Sequence, residues 1–219
     1  MSKISIIITN YNRVNFIDRA IRSCLDQSVS VGISLEIIIV DDCSTDDSLR
    51  LLEMFKDNII LVKHVTNLGV AAASNSGINH STGDYIIRLD ADDFLNKYTL
   101  QILSGLLDEN EEYGFVYTDH FRVDERGFKQ EKKRLDNDEA LYNHGAGVLF
   151  RKAIVDKIGL YDESLANCED YDFLIRMKKN FKGLYLPLPL YRYHIHGDNL
   201  SLRGDREAFK KIVRSNHGI

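Results

Sequence analysis

Residues 85–93 read Tyr85-Ile86-Ile87-Arg88-Leu89-Asp90-Ala91-Asp92-Asp93, an apolar run that ends in three carboxylates within four positions. A short run of aromatic and β-branched residues reads as a buried strand, and this one presents its acids at its carboxyl end. In an open parallel α/β sheet, ligands bind at that end. Several carboxylates held together repel one another unless a cation neutralises them, and hard oxygen ligands suit Mg²⁺ or Mn²⁺. A solvated loop whose acids cap the next helix is the competing reading of the same residues.

Working back toward the N-terminus, further apolar runs occupy residues 4–9, 36–40 and 59–65, and helical patterns separate them. That alternation is the signature of β-α-β units around a parallel sheet. Over residues 15–27, Ile17, Ala20, Ile21, Cys24 and Leu25 fall on one helical face, with Asn15 and Asp18 placed as a capping pair. Ser44 is a natural N-cap for the second helix. Over residues 67–79 the small side chains of Val70-Ala71-Ala72-Ala73 permit close approach to a sheet or a ligand.

Beyond Asp93 the pattern changes. A helix is predicted over 98–107, strands over 115–118, 121–123, 148–150 and 184–190, and helices over 152–158 and 171–179, with 130–134 a basic exposed turn or loop. No Pro/Gly/Ser-rich linker divides the 219 residues, so they read as a single domain. There is no internal repeat.

The chain carries 28 Lys+Arg and 33 Asp+Glu, a formal net charge of −5. Residues 1–93 hold 8 basic and 13 acidic residues, so the excess lies entirely in the first half. This is no basic nucleic-acid groove, and no nucleic-acid partner is expected. Cys24, Cys43 and Cys168 are too scattered for a disulfide framework, which favours a reducing, cytoplasmic setting. Neither a signal-peptide pattern nor a run of about 20 apolar residues occurs. The G-x-G-x-x-G fingerprint and the P-loop lysine motif are both absent, against a standard NAD enzyme or P-loop NTPase.

Six motifs, in order, resemble the inverting family 2 glycosyltransferases with the A-type nucleotide-sugar fold. They are the opening strand ending Thr9-Asn10-Tyr11-Asn12, Val40-Asp41-Asp42-Cys43-Ser44, Asn67-Leu68-Gly69 through Asn75-Ser76-Gly77, the Asp90-Ala91-Asp92-Asp93 box, Gly159-Leu160-Tyr161-Asp162-Glu163, and Glu169-Asp170-Tyr171-Asp172. The resemblance implies a Rossmann-like, mostly parallel nucleotide-binding sheet with helices on both faces. It assigns residues 1–93 to the nucleotide and 94–219 to the acceptor and catalysis.

It further implies a metal-dependent enzyme that moves a sugar, with inversion, from a nucleotide diphosphate donor, with uridine the favoured base, to a hydroxyl acceptor in cell-surface glycan synthesis. Thr9, Tyr11, Asn12, Asp41, Asp42, Asn67, Asn75, Asp90 and Ala91 would hold the nucleotide. Asp92 would ligate Mn²⁺ or Mg²⁺, with His194 and His196, on one side of an extended segment, as candidate partners. Asp93 would support the loop. His144, Gly145, Glu169 and Arg192 would line the donor-sugar and acceptor region, and Asp170 would be the general base. Its place at a helix N-terminus works against basicity, because the helix end stabilises the carboxylate.

Family members often carry an Arg before the Asn of the third helix, and Ala73-Ser74-Asn75 has none. The diphosphate would then find compensating charge in the metal, Arg88, Arg192 or Arg203. A glycan or lipid-linked acceptor is expected. The basic stretch 203–214 allows peripheral contact with an anionic membrane, although a solvated helix face is its commoner meaning. The oligomeric state is open, a homodimer included. Two rivals remain at this level: a non-catalytic nucleotide-sugar-binding subunit, and an aspartyl-nucleophile phosphohydrolase built on Asp90.

Overall fold

The computed structural model describes residues 2–145, 147–165, 168–197, 199 and 206–218. In chain order the elements are β1 (Ser2–Asn10), α1 (Ile17–Leu25), β2 (Ile33–Asp41), α2 (Ser48–Glu53), β3 (Ile60–Lys63), α3 (Val70–His80), β4 (Tyr85–Asp90), β5 (Phe94–Leu95), α4 (Thr99–Glu109), β6 (Tyr113–Val123), β7 (Lys129–Lys133), α5 (Asp138–Tyr142), β8 (Leu149–Arg151), α6 (Ile154–Ile158), α7 (Glu169–Asn180), β9 (Lys182–His194) and α8 (Arg206–His217). The strands form one sheet in the order β3-β2-β1-β4-β8-β6-β9-β5, with β7 paired to β6.

The four strands at the β3 end run parallel, so their carboxyl ends and the loops after them collect on one edge. Strand β8 joins β4 and β6 antiparallel to both, and β9 pairs parallel to β6. Strand β1 is central, and its run of isoleucines is buried on both faces, as a covered parallel strand requires. Ile4, Ile6 and Ile8 face α1 and α4, packing with Ile17, Ala20, Leu100 and Leu103. Ile7 points the other way, into a second core with Ala71, Ile78, Phe115, Phe173 and Leu174. Each such fully buried aliphatic side chain is worth about 1.5–3 kcal/mol against exposure. Helix α3 approaches β1 closely because Gly77 has no side chain; a Cβ there would collide with Ile7.

Several local expectations are corrected. Asn15 and Asp18 do not cap α1, which begins after Phe16; Asp18 instead accepts from Arg22 one turn on, at 2.8 Å. Ser44 is not an N-cap, because α2 begins only at Ser48; its hydroxyl accepts from Asn10 and from the Asn12 backbone. Residues 113–123 form one strand, not two, since β9 pairs along its whole length. The basic segment around 130–134 is a strand, β7, because β6 offers it a hydrogen-bonding edge. Buried Asp119 anchors it, with Lys132 at 2.9 Å and the Leu135 amide at 3.1 Å.

Candidate active site

The loops after β1, β2 and β4, together with β6, β7, α7 and α8, enclose a cavity of about 1050 Å³. Of the residues expected to bind the nucleotide, Thr9, Tyr11, Asn12, Asp42, Asn67, Asp90 and Ala91 line it, as do Asp92, His144, Glu169 and Asp170. Tyr11 stands 44% exposed. Asn12 takes a left-handed conformation, φ 53°. Its Oδ1 accepts from the Thr45 and Asp46 amides, which ties the loop after β1 to the loop after β2.

Three expected contacts point elsewhere. Asp41 is buried, does not line the cavity, and accepts from Asn10 Nδ2 at 2.7 Å and the Ser44 amide at 3.0 Å. Asn75 faces residues 161–163, donating to the Tyr161 carbonyl and Glu163 and accepting from the Tyr161 amide; it is a buried clamp between α3 and the segment before α7. Arg192 lies on the face of β9 opposite Tyr191 and Tyr193, donates to the Pro189 and Tyr191 carbonyls and covers the Phe121 ring. Asp42, by contrast, faces the cavity while accepting from the Leu68 and Gly69 amides and contacting His64 at 2.7 Å. Arg203 and Ala146 lie outside the described residues.

At the end of β4 the three acids differ in surroundings. Asp93 is buried and supports the loop, accepting from the Tyr191 hydroxyl at 2.6 Å and the His194 amide at 2.7 Å; burial and its acidic neighbours push its carboxyl well up. Asp90 lies deep in the molecule, yet 32% of its side chain opens into the cavity, 3.5 Å from Arg88. Desolvation raises its carboxyl, opposed by Arg88 and reinforced by Asp92 and Asp170. Asp92 Oδ2 meets Arg13 Nε at 3.3 Å and His196 Nε2 at 2.9 Å. The His196 ring stacks on Phe16 and the His194 ring meets Phe16 edge-on, so one aromatic side chain sets both imidazoles.

Asp170 enters the cavity from the first turn of α7, where its Oδ1 accepts from the Tyr171 amide at 2.7 Å. Arg206 Nη2 lies 3.2 Å from its Oδ2. Gly145, with φ +64°, packs against this carboxylate; a Cβ there would overlap it. Beside Asp170, burial pushes the Glu169 carboxyl up to about 7, with the Asp170 charge adding and buried Arg88, 3.4 Å away, opposing. His144 stacks on His120 at 3.9 Å between centroids, and desolvation pushes both imidazole pKa values down, that of His120 to about 4. Arg13, His120, Arg122 and Arg206 are cavity residues that motif reading passes over. Arg13 is adjacent to Asn12 and Arg206 lies within the basic stretch 203–214, whereas His120 and Arg122 belong to no motif.

A chemical consequence follows from the two walls. Acids of β4 and the carboxylate of Asp170 face one enclosed space, with Arg88 buried between Asp90 and Glu169 as the local countercharge. Such a space suits a ligand with hydroxyl groups that donate to the carboxylates, and a polyanion only together with a cation.

Comparisons with known proteins find relatives in sequence and in fold. The chain is 28% identical over 213 residues to the chondroitin synthase of Escherichia coli, covering 91% of this chain and 30% of that protein. It is 29% identical over 213 residues to a hyaluronan synthase of Pasteurella multocida, covering 91% of this chain and 21% of the relative. The chain therefore spans less than a third of the length of these relatives. Among solved structures, S. aureus TarS in complex with UDP-GlcNAc superposes with a TM-score of 0.81 at 22% identity, over 97% of this chain and 66% of that one. A mannosyltransferase from Pyrobaculum calidifontis, in complex with GDP-Man and Mn²⁺, gives 0.68 at 17% identity, over 98% and 61%. Both show the same fold. The family profile of glycosyl transferase family 2 matches residues 5–159, from the first strand of the sheet past β8, and the chain belongs to that family.

Proposed function

We propose that this chain transfers a sugar from a nucleotide diphosphate donor, with uridine the favoured base, to a hydroxyl of a glycan or lipid-linked acceptor, with inversion at the anomeric carbon. The observation that carries the reading is that Asp92 at the end of β4 and Asp170 at the start of α7 line one cavity. Inversion needs a base on the face of the sugar away from the leaving nucleotide. Asp170 takes the acceptor proton as that oxygen attacks. Tyr11 and Asp42 receive the base, Asp90 the ribose, and Arg88 and Arg13 face the phosphates. His144 and Gly145 shape the sugar side, Gly145 by leaving room beside the Asp170 carboxylate.

The residues present fit a divalent cation shared with substrate. Among the described residues no cluster of three or more His, Cys, Asp or Glu forms a complete centre. Mg²⁺ and Mn²⁺, however, bind through one or two protein ligands plus phosphates and waters. Asp92 and His196 meet at 2.9 Å, and the buried Nε2 of His194 has no hydrogen-bond partner. Asp92, which lines the cavity, would hold the ion, with His196 or His194 as its second protein ligand. Bound there, it would neutralise charge on the departing nucleotide diphosphate.

A nucleotide donor is further supported by the similar folds that bind UDP-GlcNAc and GDP-Man. A thermal-shift panel of UDP, GDP, CDP and dTDP, each with Mn²⁺, Mg²⁺ or chelator, tests the reading. The expected result is stabilisation by UDP that needs the metal; no response to any nucleotide rejects it. Among the described residues no helix is long and apolar enough to cross a membrane.

A further inference from the structure

Strands β2 and β3 pair in parallel with Asp41 opposite Lys63, so the residues that follow, Asp42 and His64, stand side by side where the two strands end. The His64 amide donates to the Asp41 carbonyl at 2.9 Å and extends the pairing by one step. His64 Nδ1 lies 2.7 Å from Asp42 Oδ1, and its Nε2 lies 2.9 Å from the Ser76 hydroxyl of α3. Only 9% of the His64 side chain and 4% of the Asp42 side chain are exposed. Asp42 lines the cavity and His64 does not, so the imidazole acts on a ligand only through the carboxylate.

Asp42 has little accepting capacity left. A carboxylate offers about four acceptor positions, roughly two on each oxygen. Oδ1 accepts from His64 Nδ1 and from the Leu68 amide at 2.9 Å, which fills it. Oδ2 accepts from the Gly69 amide at 2.8 Å, its one partner among the described residues, and keeps one position open. The carboxylate therefore has a single acceptor to offer.

Nucleobases differ in what they bring to such an acceptor, and their hydrogen-bonding edges are what a protein reads. Uracil presents one ring N–H between two carbonyls. Guanine presents a ring N–H and an exocyclic amine side by side, a pair that matches a carboxylate with both oxygens free. Cytosine and adenine set an acceptor nitrogen beside their amine, which a carboxylate repels. The loop amides alone would leave Oδ1 able to take a second donor, and His64 removes that option.

We propose that His64 is a positioning residue for base choice: it fills Asp42 Oδ1, so that the carboxylate accepts one N–H and favours uracil over guanine. The inference rests on the donor reading above and adds the residue that decides between the bases. Ser76 ties the far side of the imidazole to α3 and keeps its Nδ1 on Asp42.

The test titrates the whole chain calorimetrically with UDP and with GDP, Mn²⁺ present. UDP should bind about tenfold or more tighter than GDP, because guanine leaves a donor unmet. His64→Leu frees Oδ1 and should cut that ratio about tenfold, whereas His64→Asn, whose amide N–H replaces that of Nδ1, should hold it within about threefold. Ser76→Ala releases the ring from α3 and should lower the ratio in the same direction; if His64→Leu does not fold, an unchanged ratio in Ser76→Ala overturns the inference. Equal losses of UDP and GDP affinity in His64→Leu, with the ratio unaltered, also overturn it and make His64 a structural anchor alone. So does a ratio in His64→Asn as low as that in His64→Leu. The unaltered chain separates the two readings: if it binds GDP as tightly as UDP, only the inference about the base falls, whereas binding of neither nucleotide removes the donor reading as well.

Discussion

The two walls of the cavity are built in opposite ways. The β4 wall is assembled from strand ends, where residues adjacent in sequence stay adjacent in space: Thr9 to Arg13, Asp42, and Asp90 to Asp92. The facing wall draws His120 and Arg122 from β6, Lys133 and Arg134 from β7 onward, His144 from the loop before β8, and Asp170 and Arg206 from two helices. The half of the chain that supplies the first wall is net acidic and the half that supplies the second is balanced, yet the second lines the cavity with cations and leaves their partners Glu131 and Asp136 outside it. Formal charge counted along a chain therefore misjudges a surface whose members are chosen by folding.

That contrast can be broken at several points. Asp170→Asn removes the proton acceptor of the far wall and should lower transfer by about 10²–10⁴-fold while nucleotide affinity, measured by titration, stays near its original value. Retained turnover would move the base elsewhere. On the near wall, Asp92→Asn should weaken metal-dependent UDP binding by at least roughly tenfold and leave metal-free binding unaltered, as read by titration with Mn²⁺ and with chelator.

Asn75→Ala separates structure from recognition. It strands the Tyr161 amide and carbonyl, and should cost about 1–3 kcal/mol of stability in chemical denaturation with no change in UDP affinity. A selective loss of UDP binding would return Asn75 to the nucleotide site.

The smallest effect expected is a slope. Because the Glu169 carboxyl is raised from 4.5 to about 7, the folded protein holds a proton there that the unfolded chain has released. Its contribution is complete below the unfolded value and is lost as pH rises through about 7, so stability should decline across that window. Glu169→Gln should flatten this part of the stability–pH curve, and an unchanged slope would place the titration on another group.

Legibility followed the same division. The parallel sheet could be read from residues 4–9, 36–40 and 85–89, since a strand covered on both faces must be apolar throughout. Ligand-facing loops at its carboxyl ends came with that topology. Ser44 and Asp18 misled because capping residue types also bond within loops and along helix faces, and only the surrounding chain selects among these. Residues 130–134 read as a loop because charged side chains mask a strand whose partner edge is remote in sequence.

By itself, the sequence determined the α/β alternation, the acids at the end of β4 and the Glu169-Asp170 pair at a helix start, since each depends on side chains within one or two turns of one another. Tertiary structure alone decided that Asp41, Asn75 and Arg192 turn away from the cavity, that Arg206 meets Asp170, and that Arg122, Lys133 and Arg134 line it. Those outcomes depend on strand register and on which face of each strand the sheet buries. Both are set by packing between segments far apart in the chain, and a shift of one residue reverses every side chain on a strand.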